Sequence, residues 1–310
     1  MKKSIILLVV LLSLYLRIDA QVIGDLNVLD RDLASFNYIP PNASTDDFDY
    51  QRFSGKVSLP PIRKGNFSMY NMLGLDVHQF NYKPDSLESA LSELDRFYNT
   101  SLSTFVQYKI SDRWSLNGLL APFVLSNFAG SLSSGDWNFN GYLFAERTFY
   151  RKKGGYLLLD VGAGYLTLNG TTRVNPIINL KGRFNEAWSF VLGLPNTYVK
   201  WDFHERHSIK ILGDLNDFSA NLSGANTFGD AENVERAVFT TLSAGIEYNY
   251  WVTQSLGLML RAVHPVWREY ELRNGDDQVF DFDADFDQPL IAVGIKFNPI
   301  RALQNGLKPE

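Results

Sequence analysis

The sequence predicts an all-β fold, a transmembrane antiparallel up-and-down β-barrel of about 14 strands. Three observations predict it: apolar and polar residues alternate with a period of two along much of the chain, several alternating runs are long, and tryptophans flank short turns. Strands that cross a membrane need about 9–11 residues, whereas strands of soluble β-sandwiches usually have about 5–6. A soluble sandwich, with its apolar face turned inward, is the alternative fold.

The first residues are predicted to direct export. Lys2 and Lys3 precede an apolar run over residues 5–16, and Ala20 supplies a small residue at the cleavage position, which together are typical of a secretory signal peptide. The run is shorter than the roughly 20 apolar residues that a spanning helix requires. The predicted organisation is a signal peptide at 1–20, an N-terminal periplasmic segment or plug at 21–30, the barrel at 31–298, and a C-terminal periplasmic tail at 299–310.

The alternating runs that follow carry one apolar face and one face of small or polar residues. One such run begins at Leu242, where Leu242, Ala244 and Ile246 alternate with Ser243, Gly245 and Glu247. In a membrane barrel the apolar face contacts lipid and the polar face lines the interior. The residues expected to line the lumen are Asp160, Glu247, Arg261 and Lys296.

The positions of the tryptophans favour a barrel over a sandwich. Trp114, Trp188, Trp201 and Trp251 all lie beside short polar turns. Membrane barrels place aromatic residues in girdles at both membrane interfaces, whereas core tryptophans of a sandwich have no reason to cluster near turns. These four residues are therefore predicted to form an aromatic girdle.

The lengths of the connections give the strand count. Short links alternate with mostly longer ones, as expected for periplasmic turns and outward loops. Keeping this alternation requires a hairpin at residues 193–196 and a first strand around residues 32–40, which gives 14 strands. Fusing residues 188–203 into one strand and omitting the first gives 12. The predicted short links are 61–65, 111–113, 151–154, 185–187, 204–206 and 252–254; the longer ones are 82–95, 126–136, 169–174, 215–234 and 273–283.

The composition excludes several kinds of function. The chain has no cysteine, so disulfides and thiolate metal sites are excluded, and a formal net charge of -5 without a basic stripe argues against a nucleic-acid partner. The four histidines are not followed two residues later by serine, as a hydroxyl nucleophile on the same strand face would require. We therefore predict neither an enzyme nor a cofactor or metal site. The histidines are His78, His204, His207 and His264.

An acidic run near the C-terminus is the strongest charge feature. Its carboxylates alternate with apolar residues, so they would share one face of a strand about 6.6–7 Å apart. Three interpretations remain open: a solvated outer loop, a rim that attracts cations, or a divalent-ion site. The candidate cation-attracting residues are Asp281, Asp283, Asp285 and Asp287.

Three motifs resemble a known family. They are the segments at 56–62 (KVSLPPI), at 110–128 from ISDRWSL to APFVLSNF, and at 187–195 (AWSFVLGLP). With them the chain is similar, over roughly residues 30–298, to an uncharacterised group of outer-membrane β-barrels of Bacteroidota-type bacteria, a domain-of-unknown-function family. The resemblance implies a barrel in the bacterial outer membrane and supplies no reaction or ligand. Outer-membrane barrels often end on an aromatic residue, whereas here residues 298–310 follow Phe297.

Two functions follow as hypotheses. The first is a pore or channel for small solutes, whose lumen is constricted by a loop or by residues 21–30. The second is a non-conducting structural or surface-interaction barrel that acts through its outward loops, especially residues 214–235. The expected partners are outer-membrane lipid, the outer-membrane insertion machinery and, for the pore, a small-molecule solute. A third hypothesis is that the chain is a secreted soluble β-protein.

Overall fold

The computed structural model describes residues 32–44, 48–83, 94–151, 155–168, 171–193, 196–228, 231–276, 278–281 and 288–299. The predicted signal peptide, the segment at 21–30 and all but the first residue of the predicted tail lie outside these residues. So do Asp283, Asp285 and Asp287 of the acidic run. Among the described residues, no helix is long and apolar enough to cross a membrane.

The fold is a closed antiparallel barrel of 14 strands, as predicted. Two three-residue strands, Ile62–Lys64 and Val279–Asp281, extend neighbouring hairpins. The barrel strands are β1 (Ala34–Ser44), β2 (Phe48–Ser58), β3 (Phe67–Tyr82), β4 (Arg96–Lys109), β5 (Trp114–Ser126), β6 (Trp137–Tyr150), β7 (Tyr156–Leu168), β8 (Thr171–Arg183), β9 (Trp188–Leu192), β10 (Asn196–His204), β11 (His207–Phe228), β12 (Ala231–Trp251), β13 (Leu256–Asn274) and β14 (Leu290–Phe297).

Each strand pairs with its neighbours in the chain, and the last strand closes the barrel on the first. In the closing pair Ala34 lies opposite Phe297 and Ser35 opposite Lys296. The alternative count of 12 is wrong for two reasons. β1 is a full strand, and β9 and β10 form a separate antiparallel pair in which Trp188 lies opposite Trp201.

The period-two pattern separates the two faces of the barrel wall. On β12, Leu242 and Ile246 are exposed on the outside, while Thr241, Ser243 and Glu247 are buried inside. The same division runs around the barrel, where the exposed large side chains are mostly apolar and the inner ones include many polar groups. The interior thus contains many polar side chains, whereas a soluble protein buries mainly apolar ones.

Two outward aromatic residues of β5 and β6 mark the height of a band on the outer wall. On β6, Trp137 lies opposite Val124 near one end, and Arg147 lies opposite Trp114 ten residues further along. Ten residues at about 3.4 Å each, on strands tilted by about 35–45°, span roughly 24–28 Å. This height matches the apolar band of about 25 Å that membrane barrels present to lipid.

The predicted outward loop at 215–234 is wrong, because the chain continues there as strand. β11 and β12 contain 22 and 21 residues, and their pairing continues outward past Phe218 opposite Phe239 to Asn221 opposite Arg236. With the 19 residues of β13 they form a three-stranded extension of the wall. The polar residues of this segment resemble a loop in the sequence, but inward apolar residues such as Phe218 sit at strand spacing among them.

One part of the wall is lower than the rest. β8 pairs with β7 along its whole length but with β9 only over residues 180–183, and β10 pairs with β11 only as far as Asp214. Above the β9–β10 hairpin, the described edges of β8 and β11 are therefore separated. We call this space, between residues 171–179 of β8 and residues of β11 beyond Asp214, the wall gap.

Candidate functional site

The interior near the outer ends of the strands is filled by aromatic side chains from opposite walls. Phe80 of β3 contacts Phe218 of β11, Phe239 of β12 and Tyr270 of β13, with ring centroids 5.5–6.3 Å apart. Phe80 and Phe218 are almost completely buried. These contacts cross the lumen. We call this cluster the aromatic cap; its rings are Phe48, Tyr50, Phe80, Phe97, Phe218, Phe239 and Tyr270.

Polar side chains lie directly beneath the aromatic cap. The guanidinium of Arg52 donates to Oδ1 of Asp76 at 2.6 Å and to Oδ1 of Asn216 at 3.1 Å. Because Asn216 belongs to β11 on the far wall, Arg52 bridges the lumen. The Tyr50 hydroxyl lies 2.9 Å from Nδ1 of His78, which ties the cap to this polar layer.

A second contact crosses the outer mouth. Asn221 of β11 forms a parallel bridge with Ser126 of β5, although these strands are not neighbours in the barrel. The Asn221 amide donates to Oδ1 of Asp136 at 3.2 Å, and the backbone of Ser133 donates to Oδ2 at 2.6 Å. Burial by itself raises the pKa of Asp136, but hydrogen bonds from Ser126, Ser133 and Asn221 outweigh burial and lower the pKa. The ionised carboxylate therefore holds the β5–β6 loop against β11.

Below the cap, Glu247 is the centre of a charged cluster. Its side chain has no exposed surface and accepts from Lys296 at 2.7 Å and from Arg261 at 2.5 and 2.9 Å. Lys210 lies 3.5 Å away, and Arg261 also donates to Asp214 at 3.2 Å. This Glu247 cluster thus brings three cations and two carboxylates together.

A second charged group lies on the opposite wall. The Lys181 ammonium is 2.6 Å from Asp160 and 3.8 Å from Glu146, and it lies 5.6 Å from the centre of the Phe144 ring. Asp160 and Glu146 face each other across β7 and β6. The group therefore brings one cation and two carboxylates together on this wall.

All four residues named as lumen-lining lie on the inner face. Glu247, Arg261 and Lys296 come together in the Glu247 cluster, while Asp160 belongs to the separate group around Lys181. Sequence reasoning did not select Arg52, Asp76 or Lys181. The alternation of the sequence does place each of them on the inner face of its strand. It does not distinguish them from the many other inward polar residues, because that requires the contacts made across the barrel.

The four girdle tryptophans do not all behave alike. Trp114, Trp188 and Trp201 are exposed on the outer wall, and the last two stack with centroids 5.5 Å apart. Trp251 differs because it shares the inner parity of Glu247 and is 7% exposed, covering the bare backbone of Gly257. At the opposite end, Trp137 and Trp267 are exposed on the outer wall and form part of a second aromatic level that sequence reasoning missed.

The histidines and the acidic run give no assembled ion site in the part of the chain that the structure describes. His207 lies beside the β10–β11 turn, with Nδ1 2.6 Å from the Tyr248 hydroxyl. No group of three or more metal-ligating side chains occurs among the described residues. Asp281 lies in the short strand paired with the end of β13, and the rest of the acidic run is outside the described chain.

Comparisons with known proteins give one family and several distant structures. No curated protein matches the chain. LpxR from Salmonella typhimurium is similar at 9% identity and a TM-score of 0.36, over 86% of this chain and 99% of that one. A mutant of Rh. blastica porin is similar at 11% identity and a TM-score of 0.33, over 85% and 97%. Residues 48–298 match the "Domain of unknown function (DUF6268)", and the chain belongs to this family.

Proposed function

We propose that the protein is an outer-membrane β-barrel that reaches the membrane by signal-peptide export and the outer-membrane insertion machinery. The observation that supports this is the outer wall, where exposed apolar side chains lie between two aromatic levels about 24–28 Å apart. Such a surface is unfavourable in water and matches the hydrocarbon of a bilayer. The short turns would face the periplasm and the β11–β13 extension the exterior.

Within that class, the aromatic cap favours a barrel that does not conduct in the described conformation. Cross-lumen contacts of Phe80 with Phe218 and Phe239 replace water with packed rings, and Arg52 and Asn221 join the same walls. Apolar constrictions that exclude water also exclude ions. The proposed function is therefore a non-enzymatic surface-interaction barrel that acts through its β11–β13 extension.

A pore for small solutes is the second candidate, and the charged interior favours it. The Glu247 cluster and the group around Lys181 supply charged walls below the cap. Charges arranged in this way select solutes in known pores. Solute passage would require the aromatic cap to move aside.

Conductance in planar bilayers distinguishes the two candidates. We expect refolded wild-type protein to give no current, and the double variant Phe80→Ala/Phe239→Ala to give steps of current because it removes two rings from the centre of the cap. Phe53→Ala, which removes an outward phenyl ring that is about half exposed, is the matched control. Stable current through the wild type would reject the closed barrel and support the pore.

The surface hypothesis has its own test. Asn221 lies opposite Arg236, so residues 222–235 can be replaced by Asn-Gly, which makes a two-residue hairpin turn without changing the register. We expect the shortened protein to insert normally, as judged by heat-modifiable gel mobility, and to lose cell-surface adhesion. Unchanged adhesion would count against a role for the extension.

A further inference from the structure

A groove opens on the outer surface of the wall, at the exterior ends of β3, β4 and β5. Its volume is about 520 Å³, within the roughly 300–1,000 Å³ that is typical of small-molecule sites. Gln79 of β3 lies directly opposite Arg96 of β4, and both side chains point outward because their neighbours Phe80 and Phe97 point into the aromatic cap. The described residues that line the groove are Gln79, Asn81, Asp95, Arg96, Tyr98, Asn127 and Ala129.

The groove lies just beyond the outer end of the apolar band. Thr100 of β4 pairs with Val124 of β5, and Val124 pairs with Trp137, which belongs to the aromatic level at the outer end of the barrel. Tyr98 lies two residues nearer the exterior than Thr100, about 7 Å along the strand, and Arg96 lies two residues further out again. Interfacial aromatic residues sit at the level of the lipid head groups. A lipid of the outer leaflet would therefore present its head group to this groove.

Two amide side chains in the groove are arranged to meet hydroxyl groups. Nε2 of Gln79 donates to Oδ1 of Asn81 at 2.9 Å, which fixes the two side chains relative to each other. This bond uses one donor atom and one acceptor atom, so Oε1 of Gln79 and Nδ2 of Asn81 remain as an acceptor and a donor on the same strand face. A hydroxyl group both donates and accepts hydrogen bonds. Neighbouring hydroxyls of a sugar ring can therefore use both amides.

An aromatic side chain gives the groove an apolar surface as well. Tyr98 lines it, and Phe128 packs edge-on against the Tyr98 ring with centroids 5.6 Å apart. Phe128 has a φ of 53°, which is uncommon for a residue other than glycine, and its backbone N–H donates to the Ser126 hydroxyl at 3.2 Å. The loop after β5 thus supports the Tyr98 ring beside the amides. A sugar ring packs its C–H groups on such an aromatic surface while its hydroxyls reach polar neighbours.

The charged residues of the lining suit a neutral, hydroxyl-rich ligand. Asp95 and Arg96 border the groove and bring one carboxylate and one guanidinium to it. A hydroxyl can donate to the first and accept from the second. Phosphate groups, by contrast, are typically held by several cations or by the backbone amides of a helix N-terminus, which the described lining does not provide.

We propose that this groove binds the saccharide head group of a glycolipid in the outer leaflet. The sugar ring packs on Tyr98, its hydroxyls bond to Gln79, Asn81 and Arg96, and the acyl chains lie against the apolar band below. The site rests on the membrane insertion proposed above. It lies on other strands than the β11–β13 extension and does not depend on whether the barrel conducts.

The test uses glucosyl diacylglycerol, diacylglycerol and free maltose as probes with protein in a neutral polyoxyethylene detergent, measured by native mass spectrometry. We expect glucosyl diacylglycerol to bind, and the other two, which lack the sugar or the chains, to bind at least about tenfold more weakly. Gln79→Leu should weaken the binding of glucosyl diacylglycerol about tenfold, because it removes hydrogen bonds to the sugar. Gln51→Leu is the matched control, since Gln51 lies opposite Gln79 on β2 but is not among the described lining residues.

The aromatic ring provides an independent measurement. Tyr98→Ala should also weaken the binding of glucosyl diacylglycerol about tenfold. Tyr165→Ala, which removes an outward tyrosine of β7, should bind as the wild type does. Heat-modifiable gel mobility shows whether each variant is folded.

Three outcomes would overturn the proposal. The first is equal binding by the two members of either pair of variants, and the second is equal binding of glucosyl diacylglycerol and diacylglycerol. The third is binding of maltose as tight as that of glucosyl diacylglycerol, which would assign the groove to a free saccharide instead of a lipid.

Insertion into vesicles separates this inference from the proposed function. Protein that floats with vesicles but shows no preference for glucosyl diacylglycerol would reject the saccharide groove alone. Protein that stays soluble and folded without detergent would reject both.

Discussion

Replacing Glu247 with glutamine should destabilise the barrel more than any single lysine replacement nearby. The side chain is completely buried and is the shared partner of Lys210, Arg261 and Lys296. Glutamine keeps the shape but removes the carboxylate that the three cations share. Removing one partner of a buried ion pair costs about 3–5 kcal/mol, and because Arg261 is 32% exposed we expect the lower end, about 3 kcal/mol.

The assay is equilibrium unfolding in urea with lipid vesicles, followed by tryptophan fluorescence and by gel mobility. Lys296→Met leaves Glu247 with two cations and should cost less than Glu247→Gln. The double variant should be more stable than Glu247→Gln alone, because it removes one of the unbalanced cations. Asp112→Asn, in an exposed turn, is the control. If Glu247→Gln unfolds at the same urea concentration as this control, the cluster contributes no stability.

Three further predictions test other features. Phe80→Ala should lower the free energy of unfolding by about 3–5 kcal/mol in the same assay, since it opens a cavity in the aromatic cap, whereas Phe53→Ala should lower it clearly less. Equal losses for the two variants would show that the cap is loosely packed. Gly245→Ala should cost about 1–3 kcal/mol of unfolding free energy, because an added Cβ would lie 2.1 Å from the Ala262 carbonyl oxygen, whereas Gly213→Ala should be tolerated. The midpoint of urea unfolding measures both variants. If Gly245→Ala is also tolerated, the two backbones are not as close as the structure shows. The lowered pKa of Asp136 means that its contribution is complete above the unfolded-state pKa of about 3.9 and is lost as pH falls through the lower folded value. A nitroxide can be attached through Ser131→Cys, the only cysteine in such a chain. In electron paramagnetic resonance spectra this label should become more mobile below about pH 4, and in the Asp136→Asn variant it should be mobile already at pH 7. Equal mobility of the label on the wild-type background at both pH values would show that the Asp136 carboxylate does not hold the loop against β11.

The barrel could be predicted from sequence because its strongest determinant is local. The alternation through Leu242, Ile246 and Glu247 depends only on the period of a strand, and the same period places Asp160 and Lys296 on the inner face. Turn chemistry at residues 111–113 and 204–206 then fixes where strands end. These signals are short in range, so a single sequence carries them.

What the sequence did not predict depends on contacts between distant strands. Phe218 lies in a polar stretch that resembles a loop, and its partners Phe80 and Phe97 belong to strands on the opposite wall. Trp251 lies beside a turn like the other girdle residues, but it belongs to the inward-facing positions of its strand and covers Gly257. The wall gap arises because β9 has only five residues, and its position follows from registers that periodicity does not set.

The pairing of β1 with β14 links the closure of the barrel to the charges inside it. The seam joins the first and last barrel strands, with Ala34 opposite Phe297, so a complete cylinder depends on both ends of the described chain. Lys296 lies on the final strand and reaches Glu247 on β12 across β13. The closing strand therefore supplies one of the three cations around Glu247, and a barrel in which β14 is detached would lack that cation beside the buried carboxylate.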